Sequence, residues 1–333
     1  MIELDRDILK LSFPDLHPHA HCTVSFQRTL RIPDDDKTWP LPPGFGRFPI
    51  VHVDDYAANL PPDWYEHGGV AFPMYQSEAM WISFSRSDYP FAVKVAAGKI
   101  DATTGEAWSA ELTKEPQNYL VLPTQPWLDG FAVKKGVIRQ FVAMPLGSGY
   151  SAEEQITGQA EHGGLQIQVC PMRAEIYRET IEAERLELSL QRFAYAKSAP
   201  LMPDMGLAPG GKMRQEIYRD RYGFDVWDRD HTSRCFVHVC NSLVWQSITG
   251  NRPPYPPPTA KSYSAAGLPW FDYYRDDVAA ISGSKTLHEL KSVSHLSGSK
   301  GDHVLPEQDA PSLNPSQIRH LGKPRKPVRE MDY

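Results

Sequence analysis

The densest chemistry in the chain lies at Asp15–Cys22, DLHPHAHC, where His17, His19 and His21 alternate ahead of a thiol. Pro18 excludes an ordinary helix interior, because proline lacks the backbone N–H and its ring clashes with the preceding turn. An extended segment would point all three imidazoles to one face. So arranged, neutral imidazoles could hold a divalent transition metal such as zinc.

A second group lies in HTSRCFVHVC. On a helix, His231, Cys235 and His238 fall at i, i+4 and i+7 and share a face. On a strand, His238 and Cys240 share one instead. Either arrangement could complete a tetrahedral site with the N-terminal histidines. Cys235 beside a histidine is also a candidate nucleophile, or simply a small buried hydrophobe.

A third group is EQITGQAEHGGLQIQV, where Glu161 and His162 precede paired glycines and a strand. One loop could then offer an acid, a base and free backbone N–H groups to an anion or a developing oxyanion. The structural alternative is a helix exit whose glycines relieve strain. EHGG also occurs at Glu66–Gly69 with unmatched flanks, which chance or a shared helix-ending role explains better than duplication.

The glycine loops PPGFGRFP and APGGK lack the GxxxxGK[ST] spacing that cradles phosphate. Aromatic residues are abundant, with eight tryptophans and fifteen tyrosines, many beside proline or glycine. Trp127, Trp270, Phe271, Tyr273 and Tyr274 could line a groove for a ligand, although aromatics serve more often as core.

The Asp15-x-His17-x-His19 string is similar to the first metal-ligand motif of the amidohydrolase superfamily. That resemblance implies a barrel of alternating strands and helices, with further histidine and aspartate ligands at later strand ends. The next hundred residues do not follow that pattern, and the later ligands have no counterparts here. No activity or site is carried over from it.

The elements that must position these groups read mainly as sheet. CTVSFQRTLRI, Cys22–Ile32, alternates and ends at proline, as a half-buried strand does. Further strands are predicted at Val70–Tyr75, Met80–Ser85, Phe91–Ile100, Tyr119–Pro123, Gly130–Lys134, Val137–Met144 and Leu165–Cys170. Short helices are predicted at Asp54–Leu60 and Pro62–His67. Another starts at Ser151, whose spacing to Glu154 is that of a capping box, and ends at Gly158. After Met172 the spacing predicts a helix, then a breaker-rich loop at Ser198–Lys212 as the candidate domain boundary. A short helix over MRQEIYRDRYG follows. RCFVHVCNSLVWQSITG is either a strand feeding a helix or one helix, and a last helix is expected near Thr286–Leu296.

Of 333 residues, 41% are hydrophobic and 23% charged, enough for a sizeable core in one large or two modest domains. A net charge of −6 supplies no field that would draw the chain onto nucleic acid or an anionic membrane. No run approaches the ~20 apolar residues that cross a bilayer. The start, MIELDRDILKL, lacks the pattern of a secretory leader. Four cysteines are too few and too scattered for a disulfide scaffold. These features predict a cytoplasmic protein with reduced thiols.

The expected fold is therefore α+β. A mostly antiparallel, β-rich core over 20–172, as a sandwich or incomplete barrel, carries a helix-containing half over 173–297, the two together forming either two units or one. A disordered tail is expected over 298–333. Two functions follow. A binding or assembly protein would present its aromatics to a ligand or a protein partner, a second copy of the chain included. A metal-dependent hydrolase would use the histidine cluster, with Glu161 or His162 as general base. A cysteine enzyme built on Cys235 is a third reading.

Overall fold

The computed structural model describes residues 1–35, 37–84, 87–182, 205–257, 259, 263, 265–273, 278–302 and 317–321. Among these residues the chain is strand-rich. In order, the strands are β1 (Ile2–Asp5), β2 (Ile8–Ser12), β3 (His21–Thr29), β4 (Thr38–Trp39), β5 (Gly44–Arg47) and β6 (Val51–His52). Next come β7 (Val70–Met74), β8 (Ala79–Phe84), β9 (Phe91–Ala97), β10 (Ile100–Asp101), β11 (Leu120–Leu122), β12 (Trp127–Leu128) and β13 (Gly130–Lys134). The last are β14 (Val137–Pro145), β15 (Leu165–Pro171), β16 (Met205–Arg214), β17 (Ser233–Asn241), β18 (Trp270–Tyr273) and β19 (Ile318–Leu321).

Two large open sheets result, and neither closes into a barrel. The first follows the path β1-β2-β3-β8-β14-β16-β4, with β5, β12 and β13 paired beside it. The second runs β10-β9-β15-β17-β7-β6, with β11 paired to β9. Most pairs are antiparallel. The exceptions are β16 with β4, β17 with β7, and the small β18–β19 pair. One continuous core joins the inner faces, and Phe26 of β3 stacks on Phe72 of β7 with ring centroids 4.7 Å apart.

Strand β15 shows how sequence period becomes layer. Leu165, Ile167 and Val169 enter the core. Gln166 and Gln168 point the other way, as alternation requires. They are nonetheless buried, because their amides donate to the carbonyls of Gly98 and Ala110 at 2.8 and 2.7 Å. Buried amides are tolerated when so satisfied.

Several expectations change. Ser198–Lys212 is expected to be a loop, but its described part opens β16, ten residues antiparallel to β14. Its glycines permit close packing rather than a break: a Cβ on Gly211 would overlap the Pro33 carbonyl, and one on Gly206 would crowd Ser151. Residues 198–204 lie outside the described residues. MRQEIYRDRYG is not helical. Met213 and Arg214 finish β16, and Tyr218 instead bridges to Ala280. The expected last helix is two, Lys285–Glu289 and Val293–Lys300, each capped by a serine side chain, Ser284 and Ser292. The start of the chain forms the β1–β2 hairpin, turning at Arg6 and Asp7 with φ of 45° and 64°, the positive angles that a tight two-residue hairpin needs. The expected tail falls largely outside the described residues, although Val293–Lys300 and β19 belong to it in part.

Strands from beyond residue 200 enter both sheets. β16 lies between β14 and β4, and β17 between β15 and β7. Among the described residues no helix is long and apolar enough to cross a membrane.

Two polar contacts tie the first sheet together. Arg28 meets the buried Glu78 at 2.6 Å and also donates to the Tyr255 carbonyl at 2.7 Å. Asp129, between β12 and β13, exchanges bonds with Gln215: Gln215 Nε2 donates to Oδ2 at 2.8 Å, and Gln215 Oε1 accepts from the Asp129 N–H at 3.0 Å. Burial pushes the Asp129 carboxyl up to about 7, against the opposing effect of the bonds from Gln215 and Trp127. An unfolded aspartate ionises near 3.9. The stability this group contributes is therefore full below about pH 4 and is lost as pH rises towards 7. Asp129→Asn keeps an acceptor for Gln215 and removes the charge. Its urea midpoint should exceed that of the wild type at pH 8, with the advantage shrinking by pH 5; equal midpoints at pH 8 would contradict the assignment.

Candidate functional site

A cleft of about 340 Å³ opens where four loops meet. They are the Thr103–Thr104 turn after β10, the Lys114–Tyr119 loop before β11, the Arg219–Phe224 segment after β16, and Ile281–Lys285. Each loop is held by specific bonds. Asp101 Oδ1 accepts from the Thr103 N–H, the Thr103 hydroxyl and the Thr104 N–H at 2.9, 2.6 and 3.0 Å, which shapes the first turn. Gln117 fastens the second loop to the third. Its Nε2 donates to the carbonyls of Tyr119 and Tyr218, and its Oε1 accepts from the Asp220 N–H. The fourth loop is tied in by Ile281 N to Ile217 O and by Ser284 N to Ala132 O, both 2.8 Å. Gly283 sits at φ 77°, and a Cβ there would overlap the Lys134 backbone, so only glycine fits this approach.

Asp220 is the organising group of the cleft. Its Oδ2 accepts from the Tyr119 hydroxyl at 2.7 Å and Trp227 Nε1 at 2.8 Å. Its Oδ1 accepts from the backbone N–H groups of Tyr222 and Gly223 at 2.9 and 3.2 Å. Four donors from the fold itself converge on one carboxylate and fill its acceptor positions. Burial, with the Asp220 bond adding to it, raises the Tyr119 phenol well above its usual value. That hydroxyl is therefore a fixed donor. Phe224 lies beside Tyr119 at a ring separation of 6.4 Å and gives the cleft an apolar wall.

The rim is cationic. Arg219 meets Glu115 at 3.7 Å, with the two side chains 54% and 73% exposed, a pairing worth little in water. Lys114 and Lys285 also line the cleft, and neither has a carboxylate partner among the described residues. The Thr104 hydroxyl accepts from the Glu106 N–H at 3.3 Å, which leaves its own proton to donate.

The residues singled out from sequence lie elsewhere. Asp15–His19 turns instead of running extended: His17 N bonds to Phe13 O and Ala20 N to His17 O. His17 is buried against Tyr89 and Tyr177, and its Nδ1 accepts from the His19 N–H at 3.1 Å. His19 is exposed, and His21 opens β3. The single-faced row of imidazoles is thereby lost to a turn. His231 is exposed and bonded to Asp228 at 3.0 Å. Cys235 and His238 project to opposite faces of β17, Cys235 into the main core and His238 against Trp64. Among the described residues no group of three or more His, Cys, Asp or Glu side chains is placed to hold a metal ion. Burial pushes the Cys235 thiol up to about 12, the reverse of what an activated thiolate needs.

Glu161 and His162 do lie together, with carboxylate and imidazole 3.3 Å apart. The N–H groups expected to serve an oxyanion are taken, however. Glu153, buried in the preceding helix, accepts from the His162 and Gly163 N–H groups at 3.4 and 3.1 Å. An internal carboxylate occupies the place offered to a ligand. Of the aromatics, Trp270 is buried against Trp39 and Tyr263, while Trp127 and Phe271 are half-buried beside that cluster. Tyr273 is described through its backbone, and Tyr274 lies outside the described residues.

The two EHGG segments meet across β17. Val70 and Leu165, which follow them, both pair with Val237. A Cβ on Gly69 would overlap the Phe236 carbonyl, and one on Gly164 the Val237 carbonyl. The shared motif thus answers a shared need for close approach to one strand. His67, His162 and His238 gather there, with ring separations of 6.0 and 6.3 Å from His67.

The cleft itself left no compact signal in the sequence. Its lining comes from segments separated by up to 182 positions, from Thr103 to Lys285. Only the Asp220-x-Tyr222-Gly223 turn carried a local hint, in an aspartate that bonds to N–H groups two and three residues ahead.

His238 is kept neutral. Burial pushes its imidazole down to about 4, the neighbouring His67 acts in the same direction, and the bond to the Gly68 carbonyl opposes both. An unfolded histidine titrates near 6.5. Stability from this group is full above pH 6.5 and is lost as pH falls towards 4. His238→Gln keeps a donor for Gly68 and does not titrate. Between pH 7 and pH 5 the wild type should lose on the order of 1–2 kcal/mol more than the variant in urea unfolding; equal losses would show that this histidine is not held neutral. The chain matches no family model, no curated protein and no solved structure, so its function has to be read from its own side chains.

Proposed function

We propose that this protein captures a small organic ligand in the cleft bounded by Thr103–Thr104, Lys114–Tyr119, Arg219–Phe224 and Ile281–Lys285. The observation that carries the reading is the cleft's construction: a concave space of about 340 Å³ combining an apolar wall with convergent polar groups, the usual composition of ligand sites. Its frame is pre-formed. Asp220, Gln117 and Asp101 hold the loops by bonds that do not involve a ligand, so little ordering cost accompanies binding. The four free, buried cysteines fit a reducing compartment such as the cytoplasm.

Saturation-transfer NMR with a library of small organic fragments tests this directly. Hits should compete for one site. Ser282→Trp, at an exposed lining position, should fill the cleft and weaken them at least about ten-fold while leaving the urea midpoint unchanged. Hits that bind this variant as well as the wild type would place the ligand elsewhere.

A further inference from the structure

We infer that the ligand of this cleft is an organic dianion, a compact apolar body bearing a doubly negative head such as a phosphate monoester. The inference rests on the reading of the cleft as the ligand site and adds the chemical class. Three cationic side chains line the space, Lys114, Arg219 and Lys285, against two carboxylates, Glu115 and Asp220. The cations outnumber the carboxylates, and neither lysine is paired with one among the described residues. Asp220 turns both oxygens to four internal donors. Glu115 is mostly exposed and among the described residues meets Arg219, at 3.7 Å. Two lysines and a loosely held guanidinium therefore face the opening, in a chain whose net charge is −6. A local positive region on an acidic protein focuses field towards that opening and attracts anions to it.

The remaining groups fit the same ligand. A guanidinium can bind a phosphate or carboxylate through two parallel bonds, and an ammonium acts as a point charge beside it. The Thr104 hydroxyl has a proton to give, and Ser282 supplies a second hydroxyl on the lining. An isolated inorganic ion would use the rim alone. Phe224, Tyr119, Ile281 and Pro116 extend the cleft with apolar surface that such an ion leaves uncovered. An apolar body attached to the charged head covers it.

The test uses the full chain and four probes: phenyl phosphate, benzoate, benzyl alcohol and inorganic phosphate, titrated by calorimetry and by ligand-observed NMR at low and high salt. Phenyl phosphate should bind at least about ten-fold more tightly than benzyl alcohol and more tightly than benzoate or inorganic phosphate. Its affinity should fall as salt screens the rim. Lys114→Met, Arg219→Gln and Lys285→Met should each weaken it several-fold with little change for benzyl alcohol, and with urea midpoints held. Ser282→Trp should abolish binding of every probe. If benzyl alcohol binds as well as phenyl phosphate and loses binding in Ser282→Trp, the cleft stands and the anionic class falls. Inorganic phosphate matching phenyl phosphate would overturn the apolar body. Should fragments bind outside the cleft, or phenyl phosphate survive Ser282→Trp, the site and the class both fall.

Discussion

Both large sheets are completed by strands that arrive late in the chain, and the rest of the molecule depends on that pairing. β14 would be an edge without β16, and β15 and β7 would have no common neighbour without β17. Unpaired backbone groups in a buried strand are costly, so the segments beyond residue 200 are structural members of the same core. Close approach is the condition for this pairing. Glycines 69, 164, 206 and 211 stand where a side chain would collide with the arriving strand or its neighbours.

Loops in this protein are organised by carboxylates turned inwards. Asp101, Glu153 and Asp220 each accept backbone N–H bonds from a loop that would otherwise carry unsatisfied donors. The consequence differs by place. At Glu153 the internal acid fills the loop and takes the His162 and Gly163 N–H groups. At Asp220 the acid's acceptor positions are filled by the frame, and Lys114 and Lys285 at the opening have no carboxylate partner among the described residues.

Local patterns were legible because they are set by neighbours within a few residues. The strands at Val70–Met74, Ala79–Phe84, Gly130–Lys134 and Leu165–Pro171 fall within one residue of where the sequence places them, and the Ser151–Glu154 capping box closes as its spacing predicts, ending at Gly158. The strand-then-helix reading of Ser233–Asn241 and Trp245–Thr249 also holds, one of two alternatives that periodicity left open. The histidine row misled because Pro18 excludes a helix but does not demand an extended chain; a turn satisfies it equally, and Tyr89 and Tyr177 receive His17 there.

By itself, then, the sequence determined a strand-rich α+β chain with short capped helices and a sizeable core. Tertiary structure decided that the glycine-rich stretch at Met205–Arg214 is a strand paired along its length with β14, and that the rest of MRQEIYRDRYG beyond Arg214 is not helical. It also decided that four distant loops enclose one cleft. The physical reason is range. Period and capping are interactions between residues a few positions apart, whereas a glycine's role, a carboxylate's partner and a cavity's lining are set by whatever the fold brings alongside.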